Sequence, residues 1–250
     1  MRNKRKNVVV WLYALFMMVA ASWGILASSV VVEAAETETT ANGTYTYEVL
    51  EDGTVEITDY EHTEGADTAI TIPDTLGGKT VTSIGNNAFE WCDSLENITI
   101  PSSVTSIGSG TFQNCSSLVS ITIPSSVTSI GGGAFLCCNS LESITIPSSV
   151  TSISYGVFSG CSGLTSIEIP SSVTYIEDSA FSRCSSLESI TIPEGVTSIG
   201  EGAFEGCSGL TSIEIPSSVT HIWASTFSGC SSLVSITMQE GVTDIWDGAF

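Results

Sequence analysis

The amino-acid sequence predicts a mostly β fold, a solenoid made of coils of 23 residues each. The first observation is a unit, represented by residues 118–140 with the sequence LVSITIPSSVTSIGGGAFLCCNS, whose close copies follow one another without spacers. The second is that β-branched residues alternate with Ser and Thr inside each copy, and the third is a turn, often rich in glycine, that follows them. A fixed period of this length is typical of solenoids, in which each unit buries its apolar side against its neighbours.

The repeat is defined by columns of identical residues spaced 23 positions apart. The phenylalanine column comprises Phe89, Phe112, Phe135, Phe158, Phe181, Phe204, Phe227 and Phe250. The cysteine column comprises Cys92, Cys115, Cys138, Cys161, Cys184, Cys207 and Cys230. Six full units run from residue 95 to residue 232, an irregular unit precedes them, and the last unit, which begins at Leu233, is incomplete.

Residues 1–35 have the features of a secretory signal peptide. A basic start, MRNKRK, precedes an apolar run from Val8 to about Ala27, and Ala34 and Ala35 provide a cleavage point with small side chains. The apolar run is also long enough to span a bilayer, so an uncleaved N-terminal anchor is the alternative. Both interpretations predict that the repeats are exported.

The segment before the repeats is predicted to contain a linker and a cap. Residues 36–44 are polar and acidic, which predicts a short linker. Residues 45–69 begin with alternating apolar residues on both sides of Asp52-Gly53, a dipeptide that favours a tight β-turn. They therefore predict a β-hairpin, and because it directly precedes the array, we expect it to cap the open first coil.

Residues 70–250 form the repeat array. The LxxIxI motif at 118–123 is the signature of a leucine-rich-repeat strand, with Leu and Ile inward and the intervening Ser and Thr outward. Pro124 ends this strand, and a second short strand is predicted at 127–130. The arc that follows is too short for a regular helix. In the first, irregular unit, residues 74–80 include an insertion that is predicted to be a surface loop.

The repeats are strongly acidic. The net charge of the chain is −21. Four of its six basic residues and one of its 27 acidic residues lie in residues 1–35, so the remaining residues carry a net charge of −24. Such a surface repels phosphate backbones and anionic lipid headgroups, so we expect neither nucleic-acid binding nor membrane binding by the repeats. A cationic partner, or one bridged by divalent cations, fits the sign of the charge.

The cysteines are predicted to be free thiols. Because seven of them recur once per coil, they would stack at the strand spacing of about 4.8 Å, which is longer than the Cβ–Cβ distance of roughly 3.5–4.5 Å in a disulfide. We expect buried thiols that pack as small apolar side chains. Cys137 lies out of register beside Cys138 and is the candidate for an exposed, reactive thiol.

The sequence predicts a non-enzymatic protein without a metal or a cofactor. It has no CxxC pair, and its two histidines, His62 and His221, are too few for a zinc site. Glu168 and Glu214 occupy the same outward column two units apart, a separation of roughly 10 Å that is close to the carboxylate spacing of inverting glycosidases. They are isolated acids on an exposed face without a predicted pocket, so we assign them no catalytic role.

The pattern LxxIxIPSSVTSIGxxAFxxC, led by IPDTLGGKTVTSIGNNAF at 72–89, resembles that of the BspA-like, or Treponema pallidum type, leucine-rich-repeat surface proteins. The resemblance covers about residues 45–250. It implies a curved, right-handed β solenoid on a secreted or cell-surface protein, and several members of this family are adhesins that bind host matrix proteins or other bacterial cells. It does not imply a particular ligand.

The candidate binding residues are those that depart from the repeat. Most units carry Ser and Gly on either side of the Ile of the second strand, whereas three units carry other residues, namely Tyr175, Glu177, His221, Trp223, Asp244 and Trp246. Residues two apart on a strand point the same way, so we expect these six side chains along one face near the end of the array. Exposed aromatic side chains among carboxylates are typical of an interaction hot spot.

A second candidate surface is the outward face of the LxxIxI strands. Its central column contains Thr122, Thr145, Glu168, Thr191 and Glu214. This face is predicted to be flat, rich in hydroxyl groups and sparsely charged. Solenoids commonly bind extended partners on such a strand face.

Together these features predict an exported binding protein, an adhesin for host matrix proteins, glycans or other cells, whose partner is an extracellular protein or glycan. The alternatives are a structural spacer and an accessory repeat region of a longer surface protein or enzyme. The incomplete last unit predicts either a continuation of the chain or self-association through an open C-terminal end.

Overall fold

The structure is a computed structural model, and it describes residues 35–250. The predicted signal peptide or anchor therefore lies, except for Ala35, outside the described residues. Within the described part, the chain forms short β-strands joined by turns and contains no helix. This arrangement confirms the predicted solenoid of 23-residue coils.

Three strands precede the first coil, and they are β1 (Glu36–Thr39), β2 (Gly43–Val49) and β3 (Val55–His62). β2 and β3 are antiparallel and are joined by a turn in which Gly53 has a φ of 81°. β3 also pairs in parallel with β6 (Lys79–Ile84), a strand of the first coil. The predicted hairpin is thus confirmed, and it caps the array by occupying the edge that the first coil would otherwise expose.

Residues 36–44 are not the linker that their composition suggests. β1 pairs with β2 in antiparallel register from Glu36 beside Tyr47 to Thr39 beside Thr44. The hydroxyl of Tyr47 also donates a hydrogen bond of 2.9 Å to Oε2 of Glu36. β1 is an edge strand with largely exposed side chains. Because backbone groups make the ladder, a polar sequence can form this strand, and its polarity predicts exposure better than it predicts disorder.

Two columns of parallel strands run through the array. The first column contains the LxxIxI strands β4 (Ala69–Thr71), β7 (Asn97–Thr99), β9 (Ser120–Thr122), β12 (Ser166–Glu168), β14 (Ser189–Thr191), β16 (Ser212–Ile215) and β18 (Ser235–Met238). In the coil of residues 141–163, a single bridge from Thr145 to Glu168 takes the place of this strand. The second column contains β6, β8 (Ser106–Ile107), β10 (Ser129–Ile130), β11 (Ser152–Ile153), β13 (Tyr175–Ile176), β15 (Ser198–Ile199), β17 (His221–Ile222) and β19 (Asp244–Ile245).

The insertion at residues 74–80 is a small hairpin instead of the predicted loop. β5 (Thr75–Leu76) pairs with the start of β6 in antiparallel register. Gly77 and Gly78 make the turn with φ values of 56° and 72°, which glycine adopts without a steric penalty. Leu76 is fully buried, so the insertion contributes to the core.

The core contains a continuous stack of aromatic rings. The centroids of neighbouring phenylalanine rings from Phe89 to Phe227 lie 5.3–5.7 Å apart. Tyr60 of the cap stacks on Phe89 at 4.7 Å and so continues the stack into the hairpin. Backbone bonds join the same coils, since the N–H of Phe135 donates to the carbonyl of Val157 at 2.9 Å. Each coil therefore positions the next one through rings and backbone together.

The cysteines are all free, as predicted, and seven of them form a second ladder. From Cys115 to Cys230, each thiol of the ladder donates a hydrogen bond of 3.1–3.2 Å to the carbonyl of the Phe in the preceding coil. Burial raises the pKa of Cys138 and the pKa of Cys184 to about 12. Cys137 lies outside the ladder and is half-buried, with a φ of 59° at a position where three other coils have glycine.

Replacing Phe158 with Ala should lower the free energy of unfolding by about 3–5 kcal/mol, because the ring is 1% exposed and stacks between two others. Thermal denaturation followed by circular dichroism measures the effect. Phe250→Ala is the matched control and should cost far less, since its ring is 56% exposed. Equal melting temperatures for the wild type and Phe158→Ala would contradict an inward phenylalanine ladder.

The stability of the array should fall as the pH rises above about 9. The thiols of Cys138 and Cys184 have a pKa of about 12 when folded against 9.0 when exposed, so the folded state holds their protons more tightly. Their contribution is complete below pH 9.0 and is lost towards pH 12, by up to about 1.4 kcal/mol per pH unit for each thiol. Urea denaturation at about pH 8 and about pH 10.5 measures this loss. Cys184→Ala should show a smaller decline than the wild type, and an identical decline would refute the assignment.

Candidate functional site

The second strand column positions the six candidate residues. On β13 and β17, Ile176 and Ile222 point into the core, and the residues on either side of each of them point outward. The flanking pairs are Tyr175 and Glu177, His221 and Trp223, and, around β19, Asp244 and Trp246. The parallel register places His221 beside Asp244. Two of the three pairs are therefore on adjacent coils.

Three rings of the last two coils pack against one another. The ring centroids of His221 and Trp223 are 5.4 Å apart with an interplanar angle of 14°, and those of Trp223 and Trp246 are 5.1 Å apart. Nε2 of His221 lies 3.4 Å from Oδ2 of Asp244, and Nδ1 lies 2.7 Å from the hydroxyl of Thr220. These contacts hold an aromatic strip, defined as His221, Trp223 and Trp246, on the surface, where Trp246 is 52% exposed.

An open groove of about 730 Å³ lies beside the aromatic strip. Its aromatic lining consists of Tyr155, Tyr175 and Trp223, and its carboxylates are Glu177, Asp178 and Glu201. A smaller recess of about 440 Å³ is lined by the remaining three candidates, His221, Asp244 and Trp246. The structure therefore divides the six candidates between a groove and a neighbouring recess.

The groove exists because one coil has small residues where its neighbours have large ones. Ser198 lies beside Tyr175 in the register, and Gly200 follows at the position that Trp223 occupies one coil later. A side chain cannot fill this gap at Gly200, since a Cβ there would lie 2.4 Å from the backbone nitrogen of Asp178. The walls of the groove are thus two coil spacings apart, about 10 Å.

Backbone N–H groups position two of the three carboxylates in the groove. Oε2 of Glu177 accepts a hydrogen bond of 2.8 Å from the N–H of Tyr155. Oδ1 of Asp178 accepts one of 2.8 Å from the N–H of Glu201. Both bonds join neighbouring coils, so the register that builds the core also places these charges.

Tyr155, Asp178 and Glu201 are among the groove residues that sequence reasoning missed. They share one column, which lies two residues after the Ile of the second strand. The unit 118–140 has Gly132 at this position. A comparison of the copies one position further along would have found Tyr155, because it is the largest side chain in that column. Its side chain is 62% exposed.

The second candidate surface is the outward column of the LxxIxI strands. Its members are all exposed, and they are Thr122, Thr145, Glu168, Thr191 and Glu214. The register places Glu168 beside both Thr145 and Thr191. Near the end of the column, Nε2 of Gln239 donates hydrogen bonds to Glu194 and Glu214, at 3.2 and 3.0 Å. A binding role for this column stays a prediction.

Residues 35–250 contain neither a metal-binding cluster nor a membrane-spanning helix. In that part of the chain, no three His, Cys, Asp or Glu side chains are grouped so that they could hold a metal ion. The same residues include no helix of the length and hydrophobicity that crossing a membrane requires.

The fold and the surface define a leucine-rich-repeat protein, in which constant inward columns support variable outward ones. A family model described as BspA type leucine rich repeat region matches residues 56–174 and 154–250, with six copies of the repeat. The two ranges together span most of the chain. The chain belongs to the BspA-type leucine-rich-repeat family.

Solved structures of other leucine-rich-repeat proteins are similar to this chain. The T. pallidum protein TpLRR is 29% identical over 80% of this chain and 82% of its own, with a TM-score of 0.59. A leucine-rich repeat protein from Eubacterium ventriosum ATCC 27560 shares the fold, with 24% identity, coverage of 87% and 63%, and a TM-score of 0.51. No curated protein matches this chain. The family match indicates a repeat protein and no catalytic family.

Proposed function

We propose that this chain is an exported, non-enzymatic binding protein that acts as an adhesin at a cell surface or after secretion. Its partner would be an extracellular protein or glycan, on host matrix or on other cells. Membership of the BspA-type family supports a repeat protein that binds other molecules. The basic and apolar leader in residues 1–35 supports export.

The observation that carries the proposal is the convergence of the departures from the repeat. Tyr155, Tyr175, Glu201 and Trp223 come from four successive coils, and all of them line one groove. Drift at tolerant surface positions would scatter such substitutions over the array. Exposed aromatic side chains around a concave surface are instead typical of residues that supply binding energy.

A structural spacer is the alternative function. The exposed columns of Ser and Thr on the LxxIxI face favour it, because soluble strand-forming residues are all that a spacer requires of its surface. The two functions differ in what they require of the aromatic strip. A binding protein uses these rings, whereas a spacer does not.

Changing Trp223 and Trp246 together to Ala should lower attachment to the ligand at least about fivefold, because exposed aromatic residues contribute most strongly to interface energy. The full-length protein and the double variant are compared for binding to immobilised matrix proteins, to a glycan array and to whole cells. The melting temperature of each protein is measured alongside.

Trp91→Ala is the matched control for this experiment. Trp91 is also exposed, at 54%, but it lies in the first coil, away from the aromatic strip. It should leave attachment unchanged. If the double variant keeps full attachment and normal stability, the aromatic strip does not carry attachment and the proposal fails. No attachment by the unchanged protein to any of the three classes of ligand would favour the spacer function.

A further inference from the structure

We propose that the groove beside Trp223 binds a cationic side chain, a lysine or an arginine presented by a partner protein. The inference rests on the proposed binding function and adds to it the chemistry of the bound group. Three features of the groove carry it: its shape, its charge and its aromatic rings.

The shape of the groove is preorganised. Tyr175 and Glu177 form one wall, Trp223 forms the other, and Ser198 and Gly200 of the intervening coil form the floor. The coil register keeps the walls about 10 Å apart, which admits a single guanidinium or ammonium group with its methylene stem. Because the gap exists before a ligand arrives, binding loses less conformational entropy.

The charge of the groove is entirely negative. Its lining contains three carboxylates, Glu177, Asp178 and Glu201, and no basic residue. The only basic residues after residue 35 are Lys79 and Arg183, and neither lines the groove. A carboxylate has about four acceptor sites, so the backbone hydrogen bonds to Glu177 and Asp178 leave acceptor capacity for a ligand. A cation is attracted to this site, whereas an anionic group is repelled.

The aromatic rings of the groove also attract a cation. Tyr155 and Tyr175 are 62% and 54% exposed, and they line the groove together with Trp223. A cation over the face of a Trp or Tyr ring is attracted by the negative face of the ring. A neutral sugar would use the rings but gain no charge compensation from three carboxylates. A cationic side chain uses both features, so the lining fits it better.

The first test fills the groove without changing its charge. Ser198→Tyr places a large side chain, favourable in a strand, on the floor of the groove beside Tyr175. The probe is a fluorescein-labelled peptide of alternating arginine and glycine, followed by fluorescence anisotropy with the full-length protein in about 0.15 M salt. Ser198→Tyr should weaken peptide binding about tenfold, the scale of a lost cation–π contact with its ion pair.

The matched control is Ser129→Tyr, which places the same side chain at the same position of a coil outside the groove. It should change the affinity less than about twofold. A version of the peptide with glutamine in place of arginine should bind at least about tenfold more weakly than the arginine peptide. Equal binding of the two peptides, or an equal loss in both tyrosine variants, would overturn the inference.

The second test separates the groove from the general acidity of the surface. Glu177→Gln with Glu201→Gln removes two negative charges from the groove, and Glu142→Gln with Glu188→Gln removes two from exposed positions elsewhere. The groove pair should weaken binding of the arginine peptide at least about fivefold more than the other pair. Equal effects would mean that diffuse charge attracts the peptide, and the inference would then be wrong.

The outcomes also distinguish this inference from the proposed function. If the Trp223 and Trp246 variant loses attachment to its ligand but the arginine peptide does not bind, the protein is an adhesin that recognises another chemistry. Direct binding of a neutral hexasaccharide that Ser198→Tyr weakens, without binding of the arginine peptide, would identify a glycan site instead and would refute the inference. If the peptide binds in the groove while attachment is unaffected in that variant, the cation site remains and the proposal that the aromatic strip carries attachment is refuted.

Discussion

The register of the coil stack is the constraint on which the rest of the structure depends. From Phe89 to Phe227, each phenylalanine ring lies 5.3–5.7 Å from the next, and the backbone N–H group of each of these residues donates to a carbonyl of the following coil. A coil one residue longer or shorter would move its inward side chains out of these columns and leave backbone groups unpaired. The extra residues at 74–80 are accommodated because they form their own hairpin against β6.

The same register organises the surface. Residues that are 23 positions apart in sequence become neighbours in space, so single substitutions in successive coils combine into one continuous feature. Trp223 packs against Trp246 for this reason, and the carboxylates of Glu177 and Asp178 are held by N–H groups of adjacent coils. A site of this kind needs few changes to the core, because the inward columns can stay constant while the outward ones vary.

Most of the fold could be predicted because it depends on the local periodicity of the sequence. The hairpin at Asp52-Gly53, the two columns of strands and the free thiols all follow from residue pattern and spacing, and the structure confirms them. The strand at Glu36–Thr39 was wrongly expected to be part of a linker, because a polar segment shows no periodicity and the strand depends on pairing with β2. Tyr155 lies one position beyond the column that contains Glu177 and Trp223, so departures in that column alone do not reveal it.

The sequence by itself determined the period, the inward columns and the identity of most residues that depart from the repeat. These properties depend on local spacing and on the match of one unit with the next. Only the tertiary structure decided that Tyr175 and Trp223 face each other across a gap, with Ser198 and Gly200 beneath them. The physical reason is that a groove forms where small residues lie between large ones. Its depth depends on the side chains of the adjacent coils, which only the tertiary structure brings together.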